Sequence, residues 1–348
     1  MNSTLTFFII VFLLLAFAQL ILLLFLTSKK LKRNKKDQNE QNIYKEAMPA
    51  FIHFLYNEQD DYIPLPPDEH HVAEQLFSSS MAITKDEDLQ HKIRESASFY
   101  LSSHYEKVMN ATDWSARVNA LYYIEDFRMT SLRPVLAKRL MAVKEQDEEK
   151  QQLLRTLAAL GDVSVLSYLE NEPSIKESVY LSVFKRFPED VIPQTVSYVR
   201  QEGSLKANIS LLMYLGLAKK LSYLSFVEEN LVHPNSEMRI QALKALFQMN
   251  YISNVNLIQP FFYSEIWEER MFAAKITGVL SLSQFEKELT EFLGDSVWWV
   301  RYYAAEALLL SYGESKLFEL SQSHPDQYAR NMAAQWLRLE RQVSVAYD

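Results

Sequence analysis

Cysteine is absent from the 348 residues, and glycine nearly so, at six. With no thiol there is no disulfide framework, thiolate zinc site, iron–sulfur cluster or cysteine nucleophile, and the redox compartment is left open. The first glycine is Gly161, so no glycine-rich phosphate loop can lie before it. Neither of the common phosphate-loop patterns, G-x-G-x-x-G or G-x-x-x-x-G-K-[ST], occurs anywhere, and the G-x-S-x-G nucleophile elbow is also missing. Eleven prolines and six glycines against 48% hydrophobic and 23% charged residues favour a helical protein.

What is present begins with residues 7–26, which carry no charge and a single amide, Gln19. As a helix this run is about 30 Å long, the thickness of a bilayer's hydrocarbon core. A cleaved leader fits less well: no basic residue precedes the run, it exceeds the about 7–15 apolar residues usual there, and no A-x-A-like site follows. The reading is an uncleaved anchor over 1–28 and a basic juxtamembrane linker over 29–42. Lys29, Lys30, Lys32, Arg33, Lys35 and Lys36 follow the span directly. Their placement predicts a single-pass protein of the cell membrane with its N-terminus outside and its bulk in the cytoplasm. Each adds about 1 kcal/mol of attraction to anionic lipid. Beyond residue 40 the chain holds 30 basic and 42 acidic residues, a net charge of −12, which argues against nucleic acid as a partner.

From Ile43 onward the pattern predicts consecutive helices near 43–57, 68–83 and 86–108, the first two separated by an extended segment holding Pro64, Pro66 and Pro67. Further on, the chain repeats itself. Arg239, Arg270 and Arg301 stand 31 residues apart, and Arg330 follows 29 later. Each has alanine three places on, at Ala242, Ala273, Ala304 and Ala333, with an apolar residue directly after. Arg117 opens the same register with Ala120, Leu121 and Ile124, four periods of about 30 before Arg239. These positions form one stripe of a helix that starts each period, and Asp113, Asn235 and Asp326 stand where N-caps belong. Three apolar helix pairs, around 148–171, 174–200 and 205–231, fill the gap.

The run from Asp113 to Leu121, the run from Glu268 to Ala274 and the run from Ser296 to Leu308 resemble the first helices of HEAT repeats, especially the short bacterial type. The stretch from Leu157 to Leu166 resembles the turn into a second helix. The likeness covers about 112–341 and is best in the last four units. It implies an all-α fold, a right-handed α-solenoid of helix pairs over 112–348, with 43–111 a divergent or capping helical segment. Such a surface serves mainly to bind another protein. Arg117, Arg239, Arg270, Arg301 and Arg330 then read as a structural ladder between repeats, since repeat-locked positions are packing positions.

Aromatic residues crowd the C-terminal repeats. Helical geometry cannot point Trp298, Trp299, Tyr302 and Tyr303 all inward, so these residues, with Trp267, form a candidate partner-docking patch. Catalytic signals are thin. His70 and Glu74 share a helix face as a possible metal pair, but no second ligand motif accompanies them, and a solvated helix start is the better reading. No histidine is followed by glutamate, which removes the pattern of the iron-dependent hydroxylases built from HEAT-like repeats. Nor does any residue pattern mark a chromophore pocket of the kind found in bilin lyases with such repeats. The sequence therefore predicts no cofactor, no metal, no catalytic residue and a non-enzymatic, membrane-anchored scaffold or adaptor. The alternatives are an accessory subunit of a membrane enzyme complex, such as an envelope polysaccharide synthase or glycosyltransferase, and an enzyme with an unmarked site in the repeat groove.

Overall fold

The structure is a computed structural model that describes residues 3–56, 69–143, 147–172 and 174–347. The expected proline-bearing segment at 60–67 lies outside the described residues. Among those described, every regular element is helical and there is no strand. The chain forms two compact units, Met1–Leu160 and Gly161–Asp348. This division falls inside the 112–348 segment that repeat spacing treats as one array, because the helices after residue 112 in the first unit pack back on those before it.

The first unit opens with α1, Ser3–Tyr56, one unbroken helix of 54 residues. It is long and apolar enough near its start to cross a membrane. The helix also runs through residues 29–42, which the sequence reading treats as a linker. Lysine, arginine, glutamine and glutamate are good helix formers, and Arg33–Asp37 (3.9 Å) and Lys36–Glu40 (3.5 Å) pair across one turn. Polarity without periodicity here marks a solvated helix, not a break. Near its C-terminal end α1 buries Ala47, Phe51, Phe54 and Leu55. These lie against α2, His70–Ile83, and α3, Glu87–Met109. Phe51 meets Phe77 edge-on at 5.4 Å, and Lys92 Nζ donates to the Phe54 carbonyl at 2.6 Å.

Helix α3 carries Ile93, Ala97, Leu101, Tyr105 and Met109, a stripe of every fourth residue buried along its length. Beyond it come α4, Trp114–Asp126, the short α5, Arg133–Ala142, and α6, Glu148–Ala159. Helices α4 and α6 pack side by side as the first helices of successive periods.

The second unit continues with α7 (Ser164–Glu170), α8 (Glu177–Phe184), α9 (Ile192–Glu202), α10 (Leu205–Leu217), α11 (Leu224–Glu229), α12 (Ser236–Met249), α13 (Trp267–Val279), α14 (Glu286–Phe292), α15 (Trp298–Ser323) and α16 (Gln327–Tyr347). A 3-10 segment, Val255–Tyr263, takes the place of a helix between α12 and α13. Helices α8, α10, α12, α13, α15 and α16 pack in chain order, each on the next. Small residues are buried in α13 and α15, at Ala273, Ala274, Ala304, Ala305 and Ala307. The alanine three places after each arginine, with a second one directly after it in the last three periods, keeps this stripe of the helix small. Helix α15 is two helices in one, turned at Gly313, whose φ of 80° and ψ of 178° are readily adopted only without a side chain.

Local chemistry marks both ends of the repeated helix. Asp113, Asp147, Ser204, Asn235 and Asp326 accept backbone N–H bonds at helix starts. At helix ends the chain turns through a left-handed residue, at Arg128, Gly161, Lys219, Asn250 and Ser281. Met129, Lys220 and Leu282 then donate back to Ile124, Leu215 and Thr277, the six-to-one bond of a Schellman turn.

Candidate functional site

The six cations Lys29, Lys30, Lys32, Arg33, Lys35 and Lys36 are all exposed, wrapping around α1 just beyond its apolar part. They form a collar on a rigid rod. Each arginine of the repeat register makes one contact in common. Its Nη1 donates to the carbonyl six residues back: Arg117 to Ala111 (2.7 Å), Arg239 to His233 (2.8 Å), Arg270 to Ser264 (2.8 Å), Arg301 to Asp295 (2.6 Å) and Arg330 to His324 (2.6 Å). The guanidinium thereby satisfies a carbonyl of the turn leading into its own helix.

Three of these arginines also reach a carboxylate at the start of the next period. Arg117 grips Glu149 through Nε and Nη2, both at 2.7 Å. Arg239 Nε lies 2.8 Å from Glu269, and Arg270 holds both oxygens of Asp295 at 2.7 and 3.0 Å. Each acid stands at a helix N-terminus, where the helix dipole favours negative charge. Arg301 has a different partner, its guanidinium lying 5.7 Å from the ring of Tyr328. The acids escape sequence reasoning because their spacing from the arginines is 32, 30 and 25 residues, a looser period than that of the arginines themselves.

Electrostatics at Glu149 are the most demanding. Burial alone pushes its carboxyl up, but hydrogen bonds from Arg117 and Arg139 outweigh this and hold it below the usual carboxylate range. Trp114, three residues before Arg117, crosses to the same neighbour, its Nε1 donating to Asp147 at 2.9 Å.

At the other end of the chain Trp298, Trp299, Tyr302 and Tyr303 form a continuous aromatic surface on the first turns of α15. Trp298 stacks on Tyr302 at 4.9 Å and meets Trp299 edge-on at 4.7 Å. Trp299 lies over Tyr303 at 6.2 Å, and Tyr302 touches Trp336 at 4.8 Å. Trp298 is 40% exposed and Trp299 49%, whereas Tyr302, Tyr303 and Trp267 are partly covered. Tyr303 has a second neighbour: Lys275 Nζ lies 4.3 Å from its ring and 4.4 Å from that of Phe247. Desolvation lowers the Lys275 ammonium from its ordinary value, with Glu306 opposing. Tyr303 is thus a packing residue between α12, α13 and α15, and the free aromatic area belongs chiefly to the two tryptophans.

His70 and Glu74, placed on one face by helical spacing, each meet groups on α3. His70 stacks on His104 at 4.0 Å, while Glu74 accepts from Tyr105 Oη at 2.8 Å and lies 3.2 Å from His71 Nδ1. At this helix start His71 is 53% exposed, as a solvated start would have it, while the Glu74 side chain is only 12% exposed. The difference arises because α3 packs on α2 and covers the face that sequence leaves open. Among the described residues no group of three or more metal-ligating side chains comes together.

No protein-family model matches the chain, and no curated protein matches it. Among solved structures it is similar to the complex of CpcE and CpcF of phycocyanin lyase from a Nostoc species. The identity is 14%, the match covers 67% of this chain and 93% of that one, and the TM-score is 0.28.

Proposed function

We propose that this protein is a membrane-anchored adaptor: α1 holds it in a bilayer by its first apolar turns, the basic collar lies against anionic lipid, and the helical repeats in the cytoplasm bind a protein partner without doing chemistry. The observation that carries the docking part is the paired exposure of Trp298 and Trp299 on one rigid helix start. Exposed, preorganised indoles supply large contact area at small entropic cost and are enriched among the residues that dominate binding energy. Tethering confines the search for a membrane-associated partner to two dimensions and raises its effective concentration.

A photo-crosslinking residue placed at Trp299 in the full-length chain tests this, beside the double variant Trp298→Ala/Trp299→Ala. The expected result is one dominant crosslinked protein, lost from co-purification by the double variant while the melting temperature moves by only a few degrees. Absence of any dominant crosslink, or co-purification unaffected by the double variant, refutes the assignment.

A further inference from the structure

Between α2, α3 and α4 in the first unit lies an open cleft of about 570 Å³. This is within the roughly 300–1,000 Å³ typical of small-molecule sites. Its walls include Tyr105, Tyr122 and Tyr123, with Glu74 and Asp126 supplying carboxylates and no lysine or arginine among the lining residues. We propose that this cleft binds a small organic cation, an ammonium-bearing molecule whose charge pairs with Asp126 and lies against the accessible parts of Tyr122 and Tyr123, with the buried Tyr105 behind them.

The two carboxylates play different parts. Glu74 is already engaged, accepting the Tyr105 hydroxyl at 2.8 Å with His71 at 3.2 Å, and it fixes the Tyr105 ring as a wall. Tyr105 and Tyr123 lie nearly parallel, 8° apart, with centroids separated by 6.4 Å, and Phe127 continues the stack at 6.1 Å. That wall is held in place before any ligand arrives. Asp126 has neither a hydrogen bond nor an ion pair to its side chain among the described residues, and Glu125 beside it adds charge of the same sign. Desolvation by the cleft and that neighbour push the Asp126 carboxyl up from its ordinary value, although the side chain as a whole stays exposed.

Aromatic faces beside an uncompensated carboxylate suit a weakly hydrated cation, which gains from the ring quadrupoles as well as from the charge. A phosphodiester would meet Asp126 and Glu74 as like charges, so the chemistry favours a free ammonium compound over a phospholipid head group.

The test uses the full-length chain in a non-ionic detergent, titrated with choline and followed by ligand-observed NMR. Its arms are 3,3-dimethyl-1-butanol, the neutral isostere, and glycerophosphocholine, which carries the same cation with a phosphodiester. Choline is expected to bind at least tenfold more tightly than either, and Asp126→Asn or Tyr123→Leu to weaken it about tenfold with circular dichroism unchanged. Asp126→Asn alters an exposed side chain and so keeps the test readable if Tyr123→Leu disturbs packing. No detectable choline binding, equal binding of either arm, or an Asp126→Asn affinity equal to that of the parent chain would each overturn the proposal.

Discussion

A single buried carboxylate decides much about the first unit. Glu149 is 2% exposed and accepts hydrogen bonds from Arg117, itself 7% exposed, and Arg139. Replacing a buried pair by apolar residues can be neutral, but removing one partner leaves the other charge in low dielectric at a cost of about 3–5 kcal/mol. Glu149→Gln is therefore expected to lower stability by that amount, measured by denaturant unfolding of the full chain in detergent. The pH dependence has a definite sign. A carboxyl held lower in the folded than in the unfolded state contributes stability that is complete above the ordinary glutamate value of about 4.3. That contribution is lost as pH falls through the folded value. The melting temperature of the parent chain should drop more steeply below about pH 4 than that of Glu149→Gln, which has no carboxyl there to titrate. Equal slopes would remove Glu149 from the explanation.

Helices pack here by close backbone approach, and glycine marks points where it is tight. A Cβ built at Gly278 in α13 would stand 2.8 Å from the Ala307 Cα in α15, whereas one at Gly294 would meet nothing nearer than 3.6 Å. Gly278→Ala should cost about 1–3 kcal/mol through overpacking. Gly294→Ala should be tolerated; equal thermal shifts for the two variants would contradict the close contact between α13 and α15. The same elements show what sequence could and could not reveal. The repeated first helices were legible because arginine and alanine recur in phase along a face that must be buried. Their short partners were less so: α11 has six residues, and a 3-10 segment stands in after α12. The left-handed turns that launch them use Arg128, Lys219 and Ser281 where glycine would have been the readable signal. That the tract 29–42 is helical was hidden for the opposite reason, since its helix is held by propensity and the continuity of α1, with no apolar stripe to announce it.

At the scale of the molecule, two features bracket the chain: an apolar helix at one end and an indole pair in the C-terminal repeats. The tryptophans were legible as a crowd, but only packing separates Trp298 and Trp299, which are free, from Tyr303, which is held against Lys275. The tyrosine cleft was not legible: its walls come from three consecutive helices whose packing brings the residues together, and of its lining only Glu74 and Ala120 belong to a spacing that the sequence shows. Continuity of α1 makes the proposed orientation testable. A helix of 54 residues extends about 80 Å, of which a bilayer takes about 30, leaving a stretch that first carries the cationic collar and then packs on α2 and α3. If the collar sets orientation, the two ends of this rod lie on opposite sides of the membrane. The chain has no cysteine, so a single introduced thiol reports its own location. In intact cells an impermeant maleimide should label Ser3→Cys and leave Gln259→Cys untouched until the membrane is opened. The reverse pattern would place the repeats outside, and labelling of both in intact cells would show that the apolar helix does not span.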